Sequence, residues 1–204
     1  MLFRSQAVVD GRWQRSGQFC FFDYPIRDLH GATLALIGSG SLGSGVARLA
    51  AAFGMRVLRS ERKDALSVRP GYTPFAEALR QADVVSLHCP LNAETARLIG
   101  EAELRSMKTS ALLINTARGG LVDEAALARA LHEGWIAGAG FDVLSVEPPR
   151  SGNALLAPEL LALPNFLLTP HVAWASQPAM QALADQLIDN LEAFARGEPQ
   201  HVLT

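Results

Sequence analysis

The sequence predicts an α/β fold: a doubly wound parallel sheet of about six strands, preceded by an N-terminal arm and followed by a C-terminal helix. Three observations lead there. Six short apolar runs recur along the chain. Helical patterns lie between them, so each crossover brings the next strand in parallel. The first run ends in a glycine-rich turn, Gly38-Ser39-Gly40-Ser41-Leu42-Gly43, which opens a helix.

The elements follow in order. Residues 1–30 show no clean period. Arg12-Trp13-Gln14-Arg15-Ser16-Gly17 and Phe19-Cys20-Phe21-Phe22 mix charges with aromatics, and Pro25 and Gly31 punctuate the segment. It reads as an arm or connector whose aromatics want a partner surface, such as a subunit interface. From Thr33 the pattern turns regular. Thr33-Leu34-Ala35-Leu36-Ile37 is continuously apolar, as a strand buried on both faces reads. The next helix places Leu42, Val46, Leu49, Ala50 and Phe53 on one face and stops at Gly54. Met55 to Leu58 is the second strand, and Pro74 to Arg80 a short helix with proline in its first turn. Val84 to Leu87 and Ala111 to Asn115 are the third and fourth strands. Asp123 caps a helix that carries Glu124 in its first turn and Gly134 just past its end. Ile136 to Val143 contains a fifth strand, thinned by Gly138 and Gly140, and Phe166 to Thr169 is the sixth. A long helix runs from about Gln177 to Arg196, with Leu183, Leu187, Leu191 and Phe194 at helical spacing. The expected organisation is an arm (1–30), a doubly wound α/β domain covered on both sheet faces (31–175) and a C-terminal helix (176–204).

Composition narrows the function. A chain of 204 residues with 49% hydrophobic and 19% charged residues can bury a core and is not disordered. The net charge of -2, without a basic block, argues against nucleic acid or an acidic membrane surface as partner. No stretch approaches the roughly 20 apolar residues of a membrane span. Cys20 and Cys89 lie far apart without metal-ligand spacing, which argues against a disulfide framework or a metal site and for a reducing compartment. Met1 to Asp10 holds no long apolar run, so no signal peptide is expected and the expected location is cytoplasmic.

The turn from Gly38 to Gly43 fits G-x-G-x-x-G, the dinucleotide fingerprint of Rossmann-type domains. The first glycine allows a tight turn, the second lets backbone amides approach a pyrophosphate, and the third lets helix and strand pack closely. The helix N-terminus then faces the negative charge. Glu61 lies 18 residues after Gly43, just past the second strand, where a carboxylate can accept from a ribose hydroxyl and repel a 2′-phosphate. That favours NAD. Arg59, Arg62 and Lys63 surround it and could instead greet the phosphate of NADP, which stays the alternative; a solvated charged loop is the plainer reading.

Three segments follow the last three strands: Asn115-Thr116-Ala117-Arg118-Gly119-Gly120, Asp142-Val143-Leu144-Ser145-Val146-Glu147-Pro148-Pro149 and Thr169-Pro170-His171-Val172-Ala173-Trp174. Ligands of open α/β sheets sit outside the carboxyl ends of the strands. Arg118, Glu147 and His171 are therefore expected on the cofactor side. Singly, each could be a surface ion pair, a loop carboxylate or a packing residue; together, beside a dinucleotide turn, they form a constellation.

On these stretches the sequence resembles the D-isomer-specific 2-hydroxyacid dehydrogenases, from about Trp13 to Gly197. The stretches 19–29 and 144–149 look like the glycerate dehydrogenase, or hydroxypyruvate reductase, branch. The resemblance implies hydride transfer between a nicotinamide and C2 of a 2-keto or 2-hydroxy acid. It implies His171 as general acid/base, Glu147 as holder of the second imidazole nitrogen, and Arg118 as a two-pronged clamp for the substrate carboxylate. It places Asp142 on the nicotinamide side. Pro90, Thr95, Thr116 and Ala117 would line the dinucleotide groove, with Leu42 and Gly43 offering backbone to the pyrophosphate. A carboxylate at Glu147, where the similar formate dehydrogenases carry glutamine, favours proton-coupled carbonyl reduction. A homodimer is expected, as relatives pair through their nucleotide domains. Family members usually place a substrate domain of roughly a hundred residues before the nucleotide domain, whereas this chain reaches its phosphate turn at Gly38. The expectation is a nucleotide-binding portion that binds NAD(H) and turns over poorly, with an NAD(H)-sensing interaction module of the corepressor type as the alternative.

Overall fold

Strands and helices alternate from Thr33 onward in a computed structural model that describes residues 7–22 and 26–202. In chain order the elements are α1 (Arg12–Ser16), β1 (Thr33–Ile37), α2 (Ser41–Ala52), β2 (Arg56–Arg59), α3 (Phe75–Gln81), β3 (Val84–Leu87), α4 (Glu101–Ser106), β4 (Leu112–Asn115), α5 (Glu124–Glu133), β5 (Gly138–Phe141), α6 (Pro158–Leu161), β6 (Phe166–Leu168) and α7 (Gln177–Ala195). The six strands form one sheet in the order β2-β1-β3-β4-β5-β6, and every pairing is parallel. This is a Rossmann-like doubly wound sheet whose order reverses between β1 and β3.

The strand period of two divides β1 between two cores. Ala35 and Ile37 join the larger core, and Leu34 and Leu36 the smaller one under α2. The larger core takes Phe75, Ala78 and Leu79 from α3, Leu104 from α4, Leu127 and Leu131 from α5, and Leu160 from α6. All four crossovers after β2 thus pack on one side. On the other side α2 covers β1 and its neighbours, while Leu112 and Leu167 are exposed and Ile114 is half-buried. The expectation of a sheet covered on both faces holds in part: helices lie on both, but on the second face no described residue covers Leu112 of β4 or Leu167 of β6.

The face of α2 is also corrected. Gly43, Ala47 and Ala50 are its buried residues, whereas Leu42, Leu49 and Phe53 are 62–76% exposed. The reason is proximity. A Cβ at Gly43 would stand 2.1 Å from the Gly38 carbonyl oxygen, so only the smallest residues fit between helix and sheet. Helix ends behave as their residues require. Asp123 Oδ1 accepts from the Ala126 amide, and Gly134 closes α5 in the left-handed region at φ 70°. The helices α1, α4 and α6 carry no signal strong enough to anticipate; they span four to six residues.

In the arm, Trp13 Nε1 donates to the Phe19 carbonyl and Arg12 lies 5.4 Å from the Phe21 ring centroid. Phe19 and Phe22 are exposed. Pro25, with Asp23 and Tyr24, lies outside the described residues, as do residues 1–6, on which the expectation of no signal peptide partly rests. Of α7, Ala193 alone is buried among the described residues, and Leu183, Leu187, Leu191 and Phe194 face outward. No helix among the described residues is long and apolar enough to cross a membrane. Cys20 and Cys89 are both free thiols.

Candidate functional site

The reversal between β1 and β3 opens a crevice at their carboxyl ends, and the glycine turn lies in it. Gly38 has φ 103°, and a Cβ there would lie 2.5 Å from the His88 carbonyl carbon after β3. Glycine is therefore required twice over, by conformation and by space. Gly40 has nothing within 4 Å of its would-be Cβ, so its outer face is open. It is the N-cap of α2, which has no acidic residue in its first turn. A helix start without a side-chain cap, the positive end of a 12-residue helix and an open glycine together fit a pyrophosphate. Beyond β3, His88 Nε2 shares a 2.9 Å hydrogen bond with Ser86 Oγ, and burial pushes its pKa down, which favours a neutral ring beside the turn. Thr95 Oγ1 donates to the Pro90 carbonyl at 2.6 Å, fixing the loop that carries both.

At the end of β2, Glu61 is 4% exposed. Its Oε1 accepts from the Arg62 amide at 2.9 Å and from Arg69 Nη2 at 2.7 Å; its Oε2 accepts from the Arg69 amide at 3.1 Å and from Arg69 Nε at 2.7 Å. The Arg69 side chain and the Arg62 amide pull the carboxyl down to about 2 against the opposing effect of burial. Glu61 also borders a cleft of about 410 Å³ shared with Val68, Phe75 and Leu79. That cleft opens at the β2 edge, far along the sheet from His171.

The other end of the crevice is built by β4, β5 and β6. Asn115, Phe141 and Leu168 stand in register, so the segments that follow them emerge side by side. Asn115 is fully buried; its Oδ1 accepts from the Ala117 amide and its Nδ2 donates to the Arg118 carbonyl. This shapes the loop of Thr116, Ala117 and Arg118. The Arg118 side chain is exposed, with Nη1 donating to the Ala117 carbonyl at 2.7 Å. A Cβ on Gly119 would lie 1.9 Å from the Leu144 carbonyl carbon, so glycine lets the Arg118 loop press against the Glu147 loop. Glu124 secures that second loop: its carboxylate accepts from the Ser145 amide and hydroxyl, each at 2.6 Å, and from Asn153 Nδ2.

Glu147 Oε2 accepts from His171 Nδ1 at 2.7 Å, while its Oε1 accepts from the Leu144 amide at 2.9 Å. With Nδ1 bound as a donor, Nε2 is the nitrogen left for exchange with a ligand. His171 itself has φ 54°, a left-handed conformation uncommon for a non-glycine residue. Asp142 holds it there. This carboxylate, 3% exposed, accepts from Thr169 Oγ1 at 2.6 Å and from the amides of Val172 and Ala173 at 3.0 and 2.8 Å. Burial pushes its pKa up, but the bonds from Thr169, Val172 and Ala173 and the nearby His171 more than offset that and leave it below the ordinary value. The Trp174 indole donates to the His171 carbonyl and completes the loop. Asp142, expected on the nicotinamide side, thus spends its oxygens on the loop of His171, because three donors converge on it there.

The structure brings Glu147 and His171 into contact, sets Arg118 on the adjoining loop, and leaves Glu61 at the far end of the crevice. Sequence reading missed Asn115 and Glu124 as loop holders, although a polar residue ending an apolar strand and an acid in a first helical turn were both visible. It missed Arg69 and Tyr72, which sit in a loop with no periodic signal. Among the described residues no cluster of three metal-ligating side chains forms.

Comparison with known proteins identifies the family and the fold. The family model described as "D-isomer specific 2-hydroxyacid dehydrogenase, NAD binding domain" matches residues 3–173. The chain is 53% identical over 201 residues to a glycerate dehydrogenase of Methylorubrum extorquens, covering 98% of this chain and 61% of that protein. It is 36% identical over 202 residues to a hydroxypyruvate reductase of Blautia hydrogenotrophica, with 98% and 61% covered. The chain thus spans about three fifths of the length of the curated relatives it matches. Among solved structures, the NAD-complexed D-isomer specific 2-hydroxyacid dehydrogenase of Lactobacillus delbrueckii ssp. bulgaricus superposes with a TM-score of 0.79 at 33% identity, covering 95% of this chain and 64% of that one.

Proposed function

This chain belongs to the D-isomer specific 2-hydroxyacid dehydrogenase family and carries its NAD-binding domain, and from that premise we propose that it serves an oxidoreductase acting on D-2-hydroxy acids and 2-keto acids of the glycerate and hydroxypyruvate type. The observation that carries the reading is the 2.7 Å Glu147–His171 pair on a loop in forced conformation, beside the Arg118 loop and at one end of a dinucleotide crevice.

In this reading the bound nicotinamide supplies or takes the hydride. The protein's own groups do the rest. The backbone of Gly38, Gly40, Leu42 and Gly43 with the α2 terminus receives the pyrophosphate, and Pro90, Thr95, Thr116 and Ala117 line the groove. Glu61, at the end of β2, would face the adenosine ribose. Arg118 turns from the Ala117 carbonyl to the substrate carboxylate, where its planar fork fixes orientation. His171 Nε2 gives a proton to the carbonyl oxygen in reduction and takes it back in oxidation, while Glu147 holds the ring in one tautomer. Asp142 acts through the loop that it clamps.

The test has two arms. NADH titrated into the protein should give saturable nicotinamide fluorescence, and absence of saturation at millimolar cofactor would sink the cofactor reading. Reduction of hydroxypyruvate and glyoxylate is then followed with His171→Gln. Loss of reduction with NADH binding retained supports the assignment; unchanged reduction refutes it. The alternative of an NAD(H)-sensing interaction module gains nothing from the relatives, whose names are those of dehydrogenases and reductases.

We also propose a homodimer and a cytoplasmic setting. The exposed Trp13, Phe19 and Phe22 and the outward apolar row of α7 favour the first. The two free cysteines favour the second. Analytical ultracentrifugation checks the dimer.

A further inference from the structure

Glu61 is saturated. An ionised carboxylate offers about four lone-pair sites, and Arg62 and Arg69 fill four with two amides, Nε and Nη2. A carboxylate at the end of the second strand selects a ribose 2′-hydroxyl by accepting from it and rejects a 2′-phosphate by repulsion. Here its acceptor capacity is occupied and its charge is matched by a guanidinium 2.7 Å away.

The cation is held in place from two sides. Arg69 stacks on the Tyr72 ring with 3.8 Å between guanidinium carbon and centroid. The Tyr72 hydroxyl shares a 2.6 Å hydrogen bond with Ser39 Oγ, inside the phosphate turn. The loop carrying Arg69 is closed at its base, where the Glu61 amide donates to the Thr73 carbonyl and the Thr73 amide to the Arg59 carbonyl, each at 2.8 Å. The Arg69 side chain is nevertheless 51% exposed. Its bonds to Glu61 use Nε and Nη2, which leaves the Nη1 edge of the five-donor fork to meet an anion. Arg59 and Arg62 flank the same strand end and add positive charge, whereas Lys63 is paired with Glu103 at 2.8 Å.

Resting on the dehydrogenase reading above, we propose that Arg69 determines cofactor specificity in this chain: by matching Glu61 and offering its own outer edge, it admits the 2′-phosphate of NADP(H) alongside NAD(H). Tyr72 and Ser39 are positioning residues for it, tying the ribose end of the crevice to the phosphate turn.

The test is a pair of dissociation constants, for NADH and for NADPH, read by nicotinamide fluorescence at one ionic strength. Wild type is expected to favour NADH by less than about 30-fold; a larger preference overturns the proposal. Arg69→Ala is expected to weaken NADPH on the order of 10- to 100-fold, as loss of a charge-assisted donor does, while NADH holds or tightens because Glu61 regains open lone pairs. Equal change in both constants would mean a merely structural role and would overturn it. Arg69→Lys, which keeps the cation without the fork, reads the same ratio if the alanine variant does not fold. Its selective loss of NADPH affinity supports the proposal, and equal change overturns it. Failure of wild type to bind either cofactor refutes the dehydrogenase reading instead, so the two failures are distinct.

Discussion

Replacing Asp142 with alanine takes the acceptor from three donors at once: Thr169 Oγ1 and the amides of Val172 and Ala173. Hydrogen bonds to a charged group are worth about 1.5–3 kcal/mol each. Two effects reduce the sum. Thr169 Oγ1 retains the Phe141 carbonyl at 3.3 Å, and Val172 and Ala173 are exposed, so water can reach their amides. The expected net loss is about 2–4 kcal/mol for Asp142→Ala and about half that for Asp142→Asn, which keeps one acceptor oxygen. A second consequence falls on His171. A left-handed non-glycine residue costs about 1–3 kcal/mol and persists only when its surroundings enforce it, so the released loop should relax and carry the imidazole away from Glu147. Misplacement of about 1 Å costs on the order of 100-fold in rate. Urea unfolding gives the stability and hydroxypyruvate reduction the rate, and NADH affinity should change less than about tenfold. There is also an acid signature. The folded pKa of Asp142 is depressed, so its contribution is present above the unfolded value near 3.9 and disappears as pH falls through the folded value. Asp142→Asn should lose that component of acid sensitivity. Unfolding within about 0.5 kcal/mol of wild type, together with an unaltered rate, would refute the clamp.

Other consequences are as direct. Gly119→Ala forces a Cβ to 1.9 Å from the Leu144 backbone, and neither backbone can yield cheaply. The expected cost is about 3 kcal/mol or more by chemical denaturation, with weakened reduction because the Arg118 and Glu147 loops must part. His171→Gln should leave NADH affinity within about threefold while reduction falls at least about 100-fold; retained reduction in a stopped assay would clear His171 of the proton-transfer role. Glu61 is held at about 2 by Arg69 and the Arg62 amide, so its stabilising contribution is present above about 4.5 and fades as pH falls toward 2. Glu61→Gln should therefore unfold with a flatter pH dependence between those values than wild type, and parallel curves would contradict the pairing.

How far the sequence reached depended on the kind of signal. The strands at Val84–Leu87 and Leu112–Asn115 and the cap at Asp123 were legible because apolar runs and capping residues act locally. The face of α2 was misread because large apolar residues mark a buried face only where there is room for them. At Gly43 there is none, and Leu49 and Phe53 turn outward. The role of Asp142 was read from resemblance alone, since its three donors come from residues 27 to 31 positions away.

The sequence by itself determined the parallel α/β architecture, the glycine turn after β1 and the strand-end positions of Arg118, Glu147 and His171, because alternation, glycine spacing and motif are properties of neighbours along the chain. Only the tertiary structure decided that Asp142 grips the His171 loop, that Gly119 lets two site loops meet, and that Glu61 is already filled by Arg69. Each of these depends on distance and on the count of donors around one acceptor. Those quantities exist only once the sheet has brought separate loops to a common edge.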